Sequence, residues 1–133
     1  MKLITRDTDY AIRAISYMAK QGDKVISVNE LVKALDIPQP FLRKILQILN
    51  QKGLLKSHKG KGGGFRLSRD PDNISVAGLV KIFQGPIKLS EHIFKKKPCP
   101  NARTCALKKK LDNLEKKLIA ELNSLNIKDV LEV

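Results

Sequence analysis

The sequence predicts a mainly α-helical protein with one small β-hairpin: a winged helix-turn-helix domain followed by a long C-terminal dimerisation helix. Three observations predict it. Apolar residues recur with helical period over most of the chain, and the period changes to two on both sides of a glycine- and lysine-rich tract that follows Gly53. A regular leucine series then occupies the C-terminal stretch. The divisions expected are 1–84 for the winged domain, 85–105 for a loop, and 106–133 for the pairing helix and tail.

Each element has its own signal. Ala11, Ala14, Ile15, Met18 and Ala19 fall at i, i+3, i+4, i+7 and i+8, and Gly22 follows as a stop, giving a first helix over roughly 6–21. Ser27-Val28-Asn29-Glu30 has the form of a capping box, in which the serine oxygen accepts from the Glu30 amide and the glutamate returns to the Ser27 amide. A second helix therefore begins near Val28. It ends around Leu35, because proline disfavours helical geometry at the preceding residue and Asp36-Ile37-Pro38 makes a turn.

Pro38-Gln39-Pro40 opens a third helix, since the first turn requires no intrahelical amide donor. Leu42, Ile45, Leu46 and Leu49 form its apolar face, and Arg43, Lys44, Gln47 and Gln51 the opposite one. A short helix, a tight turn and a second helix with a basic outer face make a helix-turn-helix. Next, Leu55-Lys56-Ser57-His58 and Gly64-Phe65-Arg66-Leu67-Ser68 read as a hairpin around a tip of Lys59-Gly60-Lys61-Gly62-Gly63. The spacing of a phosphate-binding nucleotide loop is absent there, and no helix begins directly after Gly64. Asp70-Pro71-Asp72-Asn73 is a turn, and Ser75 is the N-cap of a fourth helix with Val76, Leu79, Val80 and Phe83 on its inner face, stopped by Gly85-Pro86. From Thr104 a long helix carries Leu107, Leu111, Leu114, Leu118, Leu122 and Leu125, a spacing close to that of a coiled-coil seam. Such a helix can pair with a second copy or pack on its own domain; pairing two reading heads on a palindrome favours the dimer.

The chain of 133 residues holds 26 Lys+Arg against 13 Asp+Glu, a formal charge of +13. A surplus of this size favours a polyanionic partner, because neutralising phosphates releases condensed counterions. The charge is concentrated: Arg43, Lys44, Lys52, Lys56, Lys59, Lys61, Arg66 and Arg69 lie between Phe41 and Arg69, with no acid among them. Aromatics are few, and Tyr17, Phe41, Phe65 and Phe83 sit within apolar patterns, which leaves little for stacking single-stranded bases. Duplex DNA is therefore the expected partner. No run of apolar residues approaches the ~20 needed to span a bilayer, and the start has no secretory signal, so no membrane partner and a cytoplasmic location are expected. An enzyme is not expected, since two histidines and no Ser/His/Asp grouping offer little for a catalytic site.

On this reading the third helix enters the major groove. Gln39, Arg43, Lys44 and Gln47 face base edges or nearby phosphates, because arginine can bond bidentately to guanine and glutamine to adenine. Lys56, Lys59, Lys61 and Arg66 serve phosphates or the minor groove. A basic RNA-binding module, or an adaptor that recruits a partner through the leucine seam without a metal cofactor, are the rival readings.

Met1-Lys2-Leu3 leading into Asp9-Tyr10-Ala11-Ile12-Arg13-Ala14, then Phe41-Leu42-Arg43-Lys44-Ile45-Leu46, Gly53-Leu54-Leu55-Lys56-Ser57 and Gly62-Gly63-Gly64-Phe65-Arg66-Leu67, resemble the Rrf2 family of bacterial repressors, of IscR, NsrR and CymR type. The resemblance implies a homodimeric winged-helix repressor that binds double-stranded operator DNA, responds to iron-sulfur, nitric oxide, redox or cysteine status, and in one branch takes a regulatory protein partner. Many members hold an iron-sulfur cluster on a Leu-x-Glu-Cys loop and two later cysteines. Here Leu89-Ser90-Glu91-His92 puts histidine at the first cysteine's place, and Cys99 and Cys105 match the other two. Asp9 matches the position from which nitric oxide sensors recruit a carboxylate. The resemblance thus implies His92, Cys99, Cys105 and Asp9 as metal ligands. If Thr104 caps the long helix, Cys105 sits in its first turn, where the dipole lowers a thiol pKa. Two cysteines are too few for a four-cysteine cluster or structural zinc site, so a cluster, a thiol or disulfide switch, and no metal or redox role all stay open. Family members often have Glu-Gln where this chain has Arg43-Lys44, so their operator preference does not transfer.

Overall fold

The computed structural model describes residues 2–89 and 106–131. Helix α1 (Arg6–Lys20) begins where Thr5, in extended conformation, accepts from the Thr8 amide. Ala11, Ala14, Ile15 and Met18 are fully buried. Alanine at two of these positions lets other elements approach the α1 backbone closely, and α1 packs on α2, α3, α4, α6 and β2. It is the central rod of the domain.

Helix α2 (Val28–Leu35) has the predicted N-cap, with the Glu30 amide donating to Ser27 Oγ at 3.1 Å. The reciprocal half of the capping box is not formed. The Glu30 carboxylate instead accepts from the Tyr17 hydroxyl at 3.0 Å, and Lys24 Nζ lies 3.9 Å away. A phenol on the neighbouring helix is a stronger donor than a backbone amide, so the local bond gives way to one joining α1 to α2. That hydrogen bond, with smaller contributions from burial and the carboxylate's charge, raises the Tyr17 pKa above its usual 10.0.

Asp36 ends α2 in the left-handed region at φ 53°, its amide donating to Val32 O. Ile37 is buried in the turn, and α3 (Gln39–Gln51) starts at once behind Pro38. Leu42, Ile45, Leu46 and Leu49 are no more than 1% exposed, as the pattern requires. Burying each contributes about 1.5–3 kcal/mol, which fixes the rotation of α3 and turns its polar face outward.

Strands β1 (Leu55–His58) and β2 (Gly64–Leu67) pair antiparallel, with Leu55 opposite Leu67, Lys56 opposite Arg66 and Ser57 opposite Phe65. A third partner was not foreseen: Ile26 pairs with Phe65 through two 2.8 Å backbone hydrogen bonds. Gly64, at φ +156°, makes room for it, since a Cβ there would lie 2.6 Å from the Ile26 carbonyl carbon. The predicted turn at Asp70–Asn73 is a 3₁₀ turn over Pro71–Asn73, and Ser75 caps α4 (Val76–Gln84) by accepting from the Gly78 amide at 2.9 Å. The location of Gly85 at the end of α4 also matches.

The C-terminal part carries the expected long helix, and the tail beyond it forms a second, short one. Helix α5 (Ala106–Ser124) stops before Leu125, and a short α6 (Ile127–Leu131) follows. Asn126 and Asp129 form a reciprocal cap: the Asp129 amide donates to Asn126 Oδ1 and the Asn126 amide to Asp129 Oδ2, both at 3.0 Å. The Ile127 amide donates to Ile74 O and the Val76 amide to Leu125 O, so the chain is laced back onto the start of α4. Ile127 is fully buried in the core that α1 organises. The leucine spacing runs on through residue 125 and hides this stop. Among the described residues, no helix is long and apolar enough to cross a membrane.

Candidate nucleic-acid interface

The outer face of α3 is built as expected. Arg43, Lys44, Gln47 and Gln51 are exposed, and Gln39, in the first turn, is half-buried. With its amide oxygen turned toward the guanidinium, Gln39 accepts from Arg43 Nη2 at 2.9 Å and Nε at 3.1 Å. This i,i+4 pair links two residues that the sequence presented as separate base readers. Phe41 is not in the core: it is 40% exposed, and Arg6 Cζ lies 4.5 Å from its ring centroid. A cation held over an aromatic face brings the start of α1 up to the start of α3. The Phe41 position in an apolar run gave no hint of this.

Chain continuity joins the helix to the wing. After Gly53, at φ +80°, the backbone enters β1 within a few residues, and α3 packs against β1. Lys56, His58, Lys59 and Lys61 are exposed. The tip turns at Gly60 and Gly62, whose φ of +94° and +78° suit glycine. Arg66 differs from the lysines. It is half-buried, and its Nε is enclosed without a hydrogen-bond partner among the described residues. Its cross-strand position opposite Lys56 sets two cations on one face of the ribbon. The segment 41–69 thus places an acid-free series of cations along α3 and the hairpin, the electrostatic requirement for following a phosphate backbone.

The other predicted site is only partly within view. His92, Cys99 and Cys105 lie outside the described residues, as does Thr104. Asp9 lies in the first turn of α1, and its carboxylate is paired with Arg13 Nε at 2.9 Å. Among the described residues, no group of three His, Cys, Asp or Glu side chains could hold a metal ion. The beginning of the predicted loop runs beside α5, with the Leu89 amide donating to Glu115 Oε1 at 3.0 Å.

Gln84 was missed by sequence reasoning, which saw only a helix end. Its Oε1 accepts from the Thr5 amide at 2.9 Å, the Thr8 hydroxyl at 2.6 Å and the Thr5 hydroxyl at 3.3 Å, while its Nε2 donates to Leu3 O at 2.9 Å. Thr8 is fully buried, so this one amide satisfies a polar group that has no access to water. The bonds fasten the start of α1 to the end of α4, where the chain leaves for the loop.

The leucine seam divides between two uses. Leu118 and Leu122 pack with Val76 and Val80 of α4, whereas Leu107 and Leu114 are 66% and 54% exposed.

Comparison with known proteins agrees with this architecture. A family model described as Rrf2, iron-dependent transcriptional regulator, matches residues 4–133. The HTH-type transcriptional regulator NsrR of Halalkalibacterium halodurans is 30% identical over 130 residues, which is 96% of this chain and 89% of that protein. Among solved structures, CymR, the global cysteine regulator of B. subtilis, superposes with a TM-score of 0.82 at 22% identity, covering 99% of this chain and 98% of the other. IscR of T. potens has a TM-score of 0.75 at 22% identity, covering 99% and 87%. With a basic helix-turn-helix, a glycine-tipped wing and a family match over nearly its whole length, the chain belongs to the Rrf2 family of transcriptional regulators.

Proposed function

We propose that a homodimer of this chain binds palindromic operator DNA and represses transcription, laying its two α3 helices into successive major grooves about 34 Å apart while the wings reach the flanking minor grooves. The observation that carries this reading is the exposed, acid-free face of α3 continued by the cationic wing. Gln39, Arg43, Lys44 and Gln47 of α3 face base edges or nearby phosphates; Lys56, Lys59, Lys61 and Arg66 engage phosphates or the minor groove. Exposed Leu107 and Leu114 supply the surface on which two copies pair.

Regulation enters through the 85–105 segment. Its occupant or modification must differ in affinity between two arrangements of the reading heads. His92, Cys99 and Cys105, with Asp9, are the groups proposed to act there, as ligands of an iron-sulfur cluster or as redox-active thiols. An anaerobically purified sample free of iron and acid-labile sulfide removes the cluster and leaves DNA binding untouched.

Selection from genomic fragments identifies the operator, and competition with RNA tests the rival module. On that operator, Arg43→Ala is expected to change preference among single-base variants. Lys61→Ala is expected to weaken all duplexes alike and reduce the slope of log affinity against log salt by about one. Uniform effects from both substitutions would contradict the division between reading and anchoring.

A further inference from the structure

We infer that Gln39 does not read a base itself but is a positioning residue that aims Arg43 at guanine, a reading that rests on the operator-binding function proposed above. Bidentate recognition of adenine requires a glutamine amide to use its oxygen and its nitrogen together. With the amide assigned so that its oxygen meets the guanidinium donors, the orientation that satisfies both groups, the Gln39 oxygen is engaged, accepting from both Nη2 and Nε of Arg43. That grip occupies one edge of the guanidinium. It leaves the Nη1 and Nη2 end of the fork to donate to the O6 and N7 acceptors of a guanine.

The local sequence favours this arrangement. Pro38, at φ −56°, precedes Gln39, and Pro40 follows it in the first turn, so the backbone that carries the acceptor is stiff. Four residues on, Arg43 lies on the same face of α3. An arginine held in one rotamer loses less conformational freedom when it meets a base than one that sweeps through solvent. The acceptor is also neutral. A carboxylate would orient the guanidinium equally well but would cancel the charge that attracts DNA, and residues 41–69 contain no acid at all.

The test compares the full-length protein with Gln39→Glu, Gln39→Leu and Arg43→Ala on the selected operator and on duplexes carrying every base at each position, at fixed salt. Arg43→Ala is expected to lower the guanine preference at one position roughly 5- to 150-fold. Gln39→Leu, which lacks the acceptor, should reduce preference at that same position and add nothing in the Arg43→Ala background. Gln39→Glu keeps the acceptor, so it should preserve the guanine preference while weakening all duplexes together and changing the salt slope. A base-reading glutamine predicts the opposite for Gln39→Glu: lost adenine preference at a position that Arg43→Ala leaves alone. That result overturns the inference while operator binding stands. A wild-type protein with no preference among duplexes overturns the operator reading first, and this inference with it.

Discussion

Replacing Gln84 by alanine tests how the start of α1 is held. Three well-formed hydrogen bonds, from the Thr5 amide, from the Thr8 hydroxyl and to Leu3 O, disappear together. At a net contribution of about 1 kcal/mol each, the loss is about 3 kcal/mol, and the buried Thr8 hydroxyl is left with Thr5 Oγ1, 3.2 Å away, as its partner. For a domain of this size that corresponds to a fall in Tm of roughly 10 °C. Urea unfolding followed by circular dichroism measures the difference. Thr8→Val removes only one partner and should cost less; combined with Gln84→Ala it should cost clearly less than the sum, because both changes remove the same bond. A loss below about 1 kcal/mol for Gln84→Ala, or strict additivity with Thr8→Val, would show that the amide is not the fastening described.

Three further outcomes are expected. Gly64→Ala drives a methyl group into the Ile26 carbonyl, so both bonds between Ile26 and Phe65 should be lost, at about 2–4 kcal/mol, with faster amide exchange at Ile26 and Phe65 as the readout; unchanged protection there refutes the steric reading. Leu107→Lys with Leu114→Lys should leave the helical content intact but halve the mass seen by sedimentation, and a dimer that persists would place the pairing surface elsewhere. Tyr17 titrates above the usual 10.0, so its bond to Glu30 contributes stability that is complete below that pH and lost as pH rises through the raised value; in a Tyr10→Phe background, Glu30→Gln should lower the phenolate midpoint, and no shift would disprove the cause assigned.

The helix-turn-helix was legible because its signals are local and mutually consistent: Ser27 as cap, Pro38 as boundary, and a four-residue apolar face on α3 that the core accepts without change. What escaped were interactions between segments far apart in the chain. Glu30 looked committed to its own helix until Tyr17 came within 3.0 Å. Phe41 is in an apolar run yet faces Arg6, and a run of residues cannot tell which of its members the fold leaves outside. Ile26 pairs with a strand about 40 residues on, and α6 begins at Ile127, beyond the last leucine of the series, where the leucine period carries no signal. The positions of Arg43 and the wing lysines could be read directly; the bond from Gln39 to Arg43 required the rotamers.

The bridge between Ile26 and Phe65 has a mechanical consequence. A hairpin attached only at its base would swing like a flap, and its distance from α3 would average over many values. Here the residue that leads into α2 grips the hairpin from the side, so α3 and the hairpin, the two parts proposed to face DNA, share a common frame. On the proposed mode of binding, the spacing between groove contacts and backbone contacts is thereby set by the folded domain before any duplex arrives, and a half-site that departs from this gauge would have to bend to fit.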